Sequence, residues 1–184
     1  MFGLQMDEAG ITGIEMSPQL HSAVLEYQRL ETQVRLLIGE VCKSHCSHCL
    51  NRCCKKDFCA ESIASPWLRL VWETSHHKIM EYDDSTGWLT DYGCWLNAGR
   101  PPVCYEFMCS QILMEISATD RMHTIKVLSK LVTFAGANAL GKKHLVTLSS
   151  TQLLTRLNYT RLRRRLAHSQ EILQNCEQVL NSCP

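Results

Sequence analysis

From Leu20 onward, apolar residues return every three or four positions: Leu20, Val24, Tyr27, Leu30, Val34, Leu37 and Val41. An α-helix turns once in about 3.6 residues, so this spacing draws one apolar stripe and predicts a helix running to about Val41. Ser17-Pro18 marks its start, with a hydroxyl able to cap and a ring already at helical φ. Ser65-Pro66 repeats the signal, and Trp67, Leu70, Val71 and Ile79 follow, which predicts a second helix near residues 66–82. Residues 83–102, with Gly87, Gly93, Gly99 and Pro101-Pro102, read as loop. Beyond them, Val103 to about Ala139 carries a mostly helical pattern through Ile112, Ile116, Ile125, Leu128, Leu131 and Val132, with a break near 117–120. Gly141 closes that stretch as a C-terminal glycine.

The last helix is expected from Ser149 or Ser150 to the end, with Leu162, Leu166, Ser169, Leu173, Cys176, Leu180 and Cys183 on its stripe. At about 1.5 Å per residue it would be roughly 50 Å long. The pattern therefore predicts a mainly α fold: a helical bundle with a loop-rich cysteine core and long, paired N- and C-terminal helices. Three parts follow: an acidic amphipathic helix over 1–41, a cysteine-cluster metal-binding domain over 42–141, and a basic amphipathic helix over 142–184.

Charge sharpens this division. Residues 1–41 hold two arginines against six acids, and residues 142–184 hold two lysines and five arginines against two glutamates, while the whole chain is at +1. Opposite fields and two long apolar stripes favour one contact, so the end helices are expected to pack antiparallel, as in a coiled coil, or to exchange between subunits of a homodimer. The alternative is that both polar faces are merely solvated. At 184 residues the chain suits one domain, or one domain with a helical extension, and has no internal repeat. No apolar run approaches the length that crosses a bilayer, so no membrane partner is expected.

Cysteine usage changes the picture most. Nine of the eleven cysteines fall between Cys42 and Cys109. The opening MFGLQMDEAGITGIEMSP has neither a basic nor a continuous apolar stretch of the kind that directs secretion, so a reducing, cytoplasmic setting is expected. There, closely spaced cysteines hold metal more often than they form bridges, and an odd total fits poorly with complete pairing. Cys46-Ser47-His48-Cys49 is a CxxC pair, whose two intervening residues let both thiolates reach one ion. The remaining ligands come either from Cys53, Cys54 and Cys59 nearby, or from Cys94, Cys104 and Cys109 beyond the second helix. The second choice would fasten two distant stretches of chain and couple metal binding to folding.

Adjacent side chains diverge, so Cys53-Cys54 fits better if one of the two ligates or each serves a different metal. His45, His48, His76 and His77 are further nitrogen donors, each more often an ordinary surface histidine. Nine thiolates around two zinc ions would leave a charge of about −5, which burial forbids. Four thiolates around zinc or a [4Fe–4S] core carry about −2, which Lys43, Arg52, Lys55, Lys56 and Arg100 could offset. Cys176 and Cys183 fall on the last helical stripe as small buried hydrophobes.

Cys46-xx-Cys49-xxx-Cys53-Cys54, then Gly93-Cys94-Trp95-Leu96, then Gly99-Arg100-Pro101-Pro102-Val103-Cys104-Tyr105-Glu106-Phe107-Met108-Cys109, resembles the CxxCxxCC family of zinc- or iron-chelating domains, often called YkgJ-like. The resemblance covers about residues 42–110. It implies a bacterial metal-binding protein with Cys46, Cys49, Cys53, Cys54, Cys59, Cys94, Cys104 and Cys109 as ligands, and zinc or an iron–sulfur cluster as the bound group. The family also includes flagellin lysine methylases that are thought to pair an iron–sulfur centre with S-adenosylmethionine.

Three functions compete on these grounds. A metal-stabilised structural or interaction module needs no group the sequence lacks. An iron–sulfur redox protein, or a relative of the S-adenosylmethionine-linked methylases, would need a cofactor loop, and no glycine-rich loop follows a strand here. Nucleic-acid binding through Arg156, Arg161, Arg163, Arg164, Arg165 and His168 would need aromatic residues interleaved with the cations, and only Tyr159 lies among them. No spacing singles out a catalytic cysteine with its base.

Overall fold

The computed structural model describes residues 16–46, 55–75, 82–90, 93–116 and 119–182, and these are mainly helical. The first helix, α1 (Pro18–Cys46), begins where the Ser17-Pro18 signal places it. Ser17 Oγ accepts from the Leu20 amide at 3.2 Å, which satisfies one of the donors a helix start leaves over. The apolar stripe is buried as its spacing requires: Leu20, Val24, Tyr27, Leu30 and Val34 lie in the core. The helix continues past Val41 and carries Cys42 and Cys46 in its last turns.

Ser65 begins α3 (Pro66–Ser75) in the same manner, its hydroxyl accepting from the Leu68 amide at 3.4 Å. Trp67, Leu68, Leu70 and Val71 are buried, and the Trp67 ring stands edge-on to Tyr27 of α1 at 5.4 Å. The rest of the helix expected to reach residue 82 falls at 76–81, outside the described residues, as do Ile79, His76 and His77; Tyr82 is already non-helical. Ahead of α3 stands α2 (Lys56–Ala64), which the sequence pattern did not announce. Its only buried residues are Cys59 and Ser62, so there is no apolar stripe to detect.

The stretch read as loop contains a small antiparallel hairpin of β1 (Leu89–Thr90) and β2 (Gly93–Cys94), with Leu89 opposite Cys94. Strands of two residues show no period. Helices α4 (Val103–Glu106), α5 (Ser110–Glu115), α6 (Thr119–Ser129) and α7 (Leu131–Gly136) fill the expected helical region. Gly141, at φ +60°, turns the chain after them, though the helix itself ends at Gly136.

The last long helix is shorter than expected. Only α8 (Thr151–Leu154) follows Ser150, and α9 runs Tyr159–Ser182, 24 residues or about 36 Å. The break lies at Asn158, whose amide donates to the Ala139 carbonyl at 3.1 Å while its Oδ1 caps the Arg161 amide at 2.9 Å. Leu162, Leu166, Ser169, Leu173 and Cys176 are buried, as the three-four spacing required.

Helices α1 and α9 pack together, but not antiparallel. Arg163 donates to Ser22 at 2.6 Å, and further on Gln170 donates to Gln33 at 2.8 Å, so the contacts advance in the same sense along both helices. Charge does not set this arrangement. Arg163 lies 3.5 Å from Glu26, yet both side chains are substantially exposed, and such a pair contributes about 0–1 kcal/mol. Each buried Leu or Val of the two stripes contributes about 1.5–3 kcal/mol, so apolar burial decides the contact.

Candidate metal centre

Two separate stretches of chain meet over α3. Cys59 of α2 is buried with Trp72, Trp88 and Leu96, and Cys94 packs against the same cluster with Tyr82 and Trp95. The turn that builds this cluster is local. The Asp83 carboxylate accepts from the Ser85 hydroxyl and from the amides of Thr86 (2.8 Å) and Ser85 (2.7 Å), which together hold its pKa down to about 2. Gly87, at φ +65°, then lies so close to Cys59 that a Cβ would meet its sulfur at 3.0 Å and its Cβ at 2.8 Å. Lys56 donates to the Asp84 carbonyl and ties the turn to α2. Trp88 consequently stands 5.4 Å from Trp72, 5.4 Å from Tyr82 and 6.3 Å from Trp95, with the last pair stacked.

The segment after β2 is anchored by a residue that the sequence pattern passed over. Glu31 of α1 is fully buried, and its carboxylate accepts from the Gly99 amide (2.8 Å), the Arg100 amide (2.8 Å) and the Tyr105 hydroxyl (2.7 Å). Burial raises its pKa, and the bonds from Gly99, Tyr105 and Arg100 offset that rise only in part. A signal for it existed: Glu31 follows Val24 and Tyr27 by seven and four positions and precedes Val34 by three, an acid inside the apolar arc. Gly99 itself has no alternative. At φ +80°, a Cβ would approach the Leu68 carbonyl oxygen to 2.7 Å and the Trp72 amide to 2.9 Å.

Held by Glu31, Arg100 folds back on its own loop. Its Nε donates to the Leu96 carbonyl at 2.6 Å and an Nη to the Cys94 carbonyl at 3.0 Å. The guanidinium thus lies among thiols. Burial opposes its charge, but Tyr105, Cys94, Cys104 and Glu31 together hold its pKa above the ordinary arginine value. Burial pushes the Cys59 thiol up; the Trp88 amide bond to its sulfur and the Arg100 charge act the other way, while Cys94 adds to the rise. Arg35 of α1 belongs to the same field. Its pKa is lowered by burial and by Arg100, and among the described residues its buried Nε has no hydrogen-bond partner.

Of the eight expected ligands, the fold gathers Cys59 and Cys94 in one cluster and places Cys104, exposed on α4, within the field of the same arginine. Cys109 is half-buried at the start of α5, and Cys46 is exposed at the end of α1. Cys49, Cys53 and Cys54 lie outside the described residues, as do His48 and Arg52. Among the described residues no three His, Cys, Asp or Glu side chains converge as a ligand set. Two neighbouring thiols lie beside the Arg100 cation, and among the described residues the buried Trp88 indole N–H has no acceptor.

Several of the arginines of α9 have internal partners. Arg165 donates to the Phe134 carbonyl at 2.9 Å and lies 4.3 Å over the Phe134 ring, and Arg161 reaches the Asn138 carbonyl at 3.5 Å. Cys176 is buried on the α9 stripe against the Thr124 carbonyl, as a small core residue. No helix among the described residues is long and apolar enough to cross a membrane. No known family model, curated protein or solved structure matches the chain.

Proposed function

We propose that this protein is a metal-binding cysteine-cluster module, holding zinc or an iron–sulfur cluster and acting as a structural or interaction element. The observation that carries the reading is the meeting of Cys59 and Cys94, which lie far apart in sequence, in one aromatic cluster beside Arg100. Cys46, Cys49, Cys53, Cys54, Cys104 and Cys109 are the candidates for the remaining ligands, as the resemblance to the CxxCxxCC family implies. The group, when bound, would supply cross-linking of the two cysteine stretches through thiolate bonds, and so coupling of metal to folding. In this reading residues 42–141 form the metal-binding part, and α1 and α9 carry the contact with a protein partner or a second copy.

Element analysis and absorption spectroscopy on protein purified without oxygen test the proposal. Bound zinc in a colourless protein, or iron and sulfide with broad absorption near about 400 nm, is the expected result. Cys59→Ser and Cys94→Ser should each lower the metal content, and Cys176→Ser should leave it unchanged. Metal-free protein, or full metal content in Cys94→Ser, overturns the reading.

A further inference from the structure

Among the described residues, α3 and α9 cover the inner side of α1 and nothing covers its outer side. Leu25 is 38% exposed and Leu36 is 55% exposed, both high for large apolar residues. Beside Leu25 lies a shallow groove of about 320 Å³ lined by Leu25, Gln28, Arg29, Thr32 and Gln33. Leu25, Arg29, Thr32, Leu36 and Gly39 follow one another by four, three, four and three positions, the spacing of a seam that meets another helix.

Gly39 points the same way. It lies in the interior of α1, where glycine costs about 0.5–1 kcal/mol relative to alanine, and a Cβ there would meet nothing within 4 Å. None of the described residues requires that glycine. A helix crossing close to it would.

We infer that this face of α1 docks on the same face of a second copy of the chain, antiparallel, with Leu25 of each copy against Leu36 of the other. The occupant follows from the pattern read backwards. Reversing the helix about the point between Leu30 and Glu31 lays Leu25 on Leu36, Arg29 on Thr32, Ser22 on Gly39 and His21 on Glu40. Apolar residues meet apolar ones, the glycine meets a small residue, and an acid meets a base. His21, Arg29 and Glu40 are exposed. A two-fold interface must be self-complementary in this manner. The face is short, about four turns with two leucines per copy, so the dimer belongs to the weak, micromolar class. This inference gives the partner half of the proposed function a definite identity and does not depend on the metal.

Sedimentation velocity on the full chain, from about 1 to about 500 µM, provides the test. The mean mass should rise toward that of a dimer. Leu25→Glu and Leu36→Lys should each weaken association by about tenfold or more, because each sets an unpaired charge against a leucine twice per dimer. The double variant L25E/L36K should recover most of the loss, because this register places the new carboxylate of one copy against the new amine of the other. Circular dichroism and metal content, followed in all variants, separate failure of this interface from failure of the fold or of the metal reading. A monomer at every concentration overturns the inference. So does a dimer that both single variants leave intact, or a double variant no tighter than the singles.

Discussion

Replacing Glu31 with alanine should be among the most damaging single substitutions outside the apolar core. The carboxylate serves two backbone amides and a tyrosine hydroxyl, all within 2.8 Å. Hydrogen bonds to a charged acceptor are worth about 1.5–3 kcal/mol each, and three of them would suggest roughly 4.5–9 kcal/mol. Removing a buried carboxylate also returns several kcal/mol of desolvation. The donors, however, remain buried without an acceptor, so the net loss should be about 3–5 kcal/mol, the usual cost of breaking a buried charged network from one side. For a chain of this length that corresponds to a fall of roughly 6–20 °C in Tm. Urea unfolding followed by far-UV circular dichroism measures it, with the slope unchanged if the native state stays compact. Glu31→Gln keeps the volume and one acceptor oxygen but turns an NH₂ toward a donor, and should cost about half as much. A loss under about 1 kcal/mol for Glu31→Ala would refute the view that this residue anchors the segment from Gly99 to Tyr105.

The same residue predicts a pH dependence. Because burial raises its pKa in the folded protein, protonation favours the native state. That stabilisation is complete below the ordinary carboxylate value of about 4.3 and is lost as pH rises through the raised value. The unfolding free energy of the native protein minus that of Glu31→Gln should therefore grow as pH falls from 7 toward about 4; the opposite slope counts against it. Gly99→Ala should cost at least about 2 kcal/mol, since strain at φ +80° adds to a backbone collision, whereas Gly141→Ala, at φ +60° in open space, should cost about 1–2 kcal/mol from backbone conformation alone. Equal losses at the two sites would remove the collision from the argument. Asn158→Ala removes the cap of α9 and should cost about 0.5–2 kcal/mol in chemical denaturation, while Ser150→Ala, whose side chain caps nothing, should be silent.

The elements most legible in the amino-acid order were those whose cause is local. The stripe from Leu20 to Val34, the Ser17 and Ser65 caps, and the run from Leu162 to Cys176 each follow from helical geometry over a few turns, and all recur in the structure. Elements without a periodic signal were not. Helix α2 buries too little to leave a stripe, and two-residue strands are too short to alternate. A helix does start after Ser150, as expected, but it stops at Leu154, and the long helix begins anew at Tyr159 behind the Asn158 cap.

The candidate site divides in the same way. The order of residues alone established a cysteine-rich middle between two long amphipathic helices, because composition and period are properties of the chain itself. The joining of Cys59 to Cys94, the placing of Arg100 beside their thiols, the anchoring by Glu31, and the same-sense packing of α1 with α9 were decided only by tertiary structure. Each of these is a contact between segments separated by dozens of residues. Its energy depends on burial and on distance in space, and neither is written in local sequence.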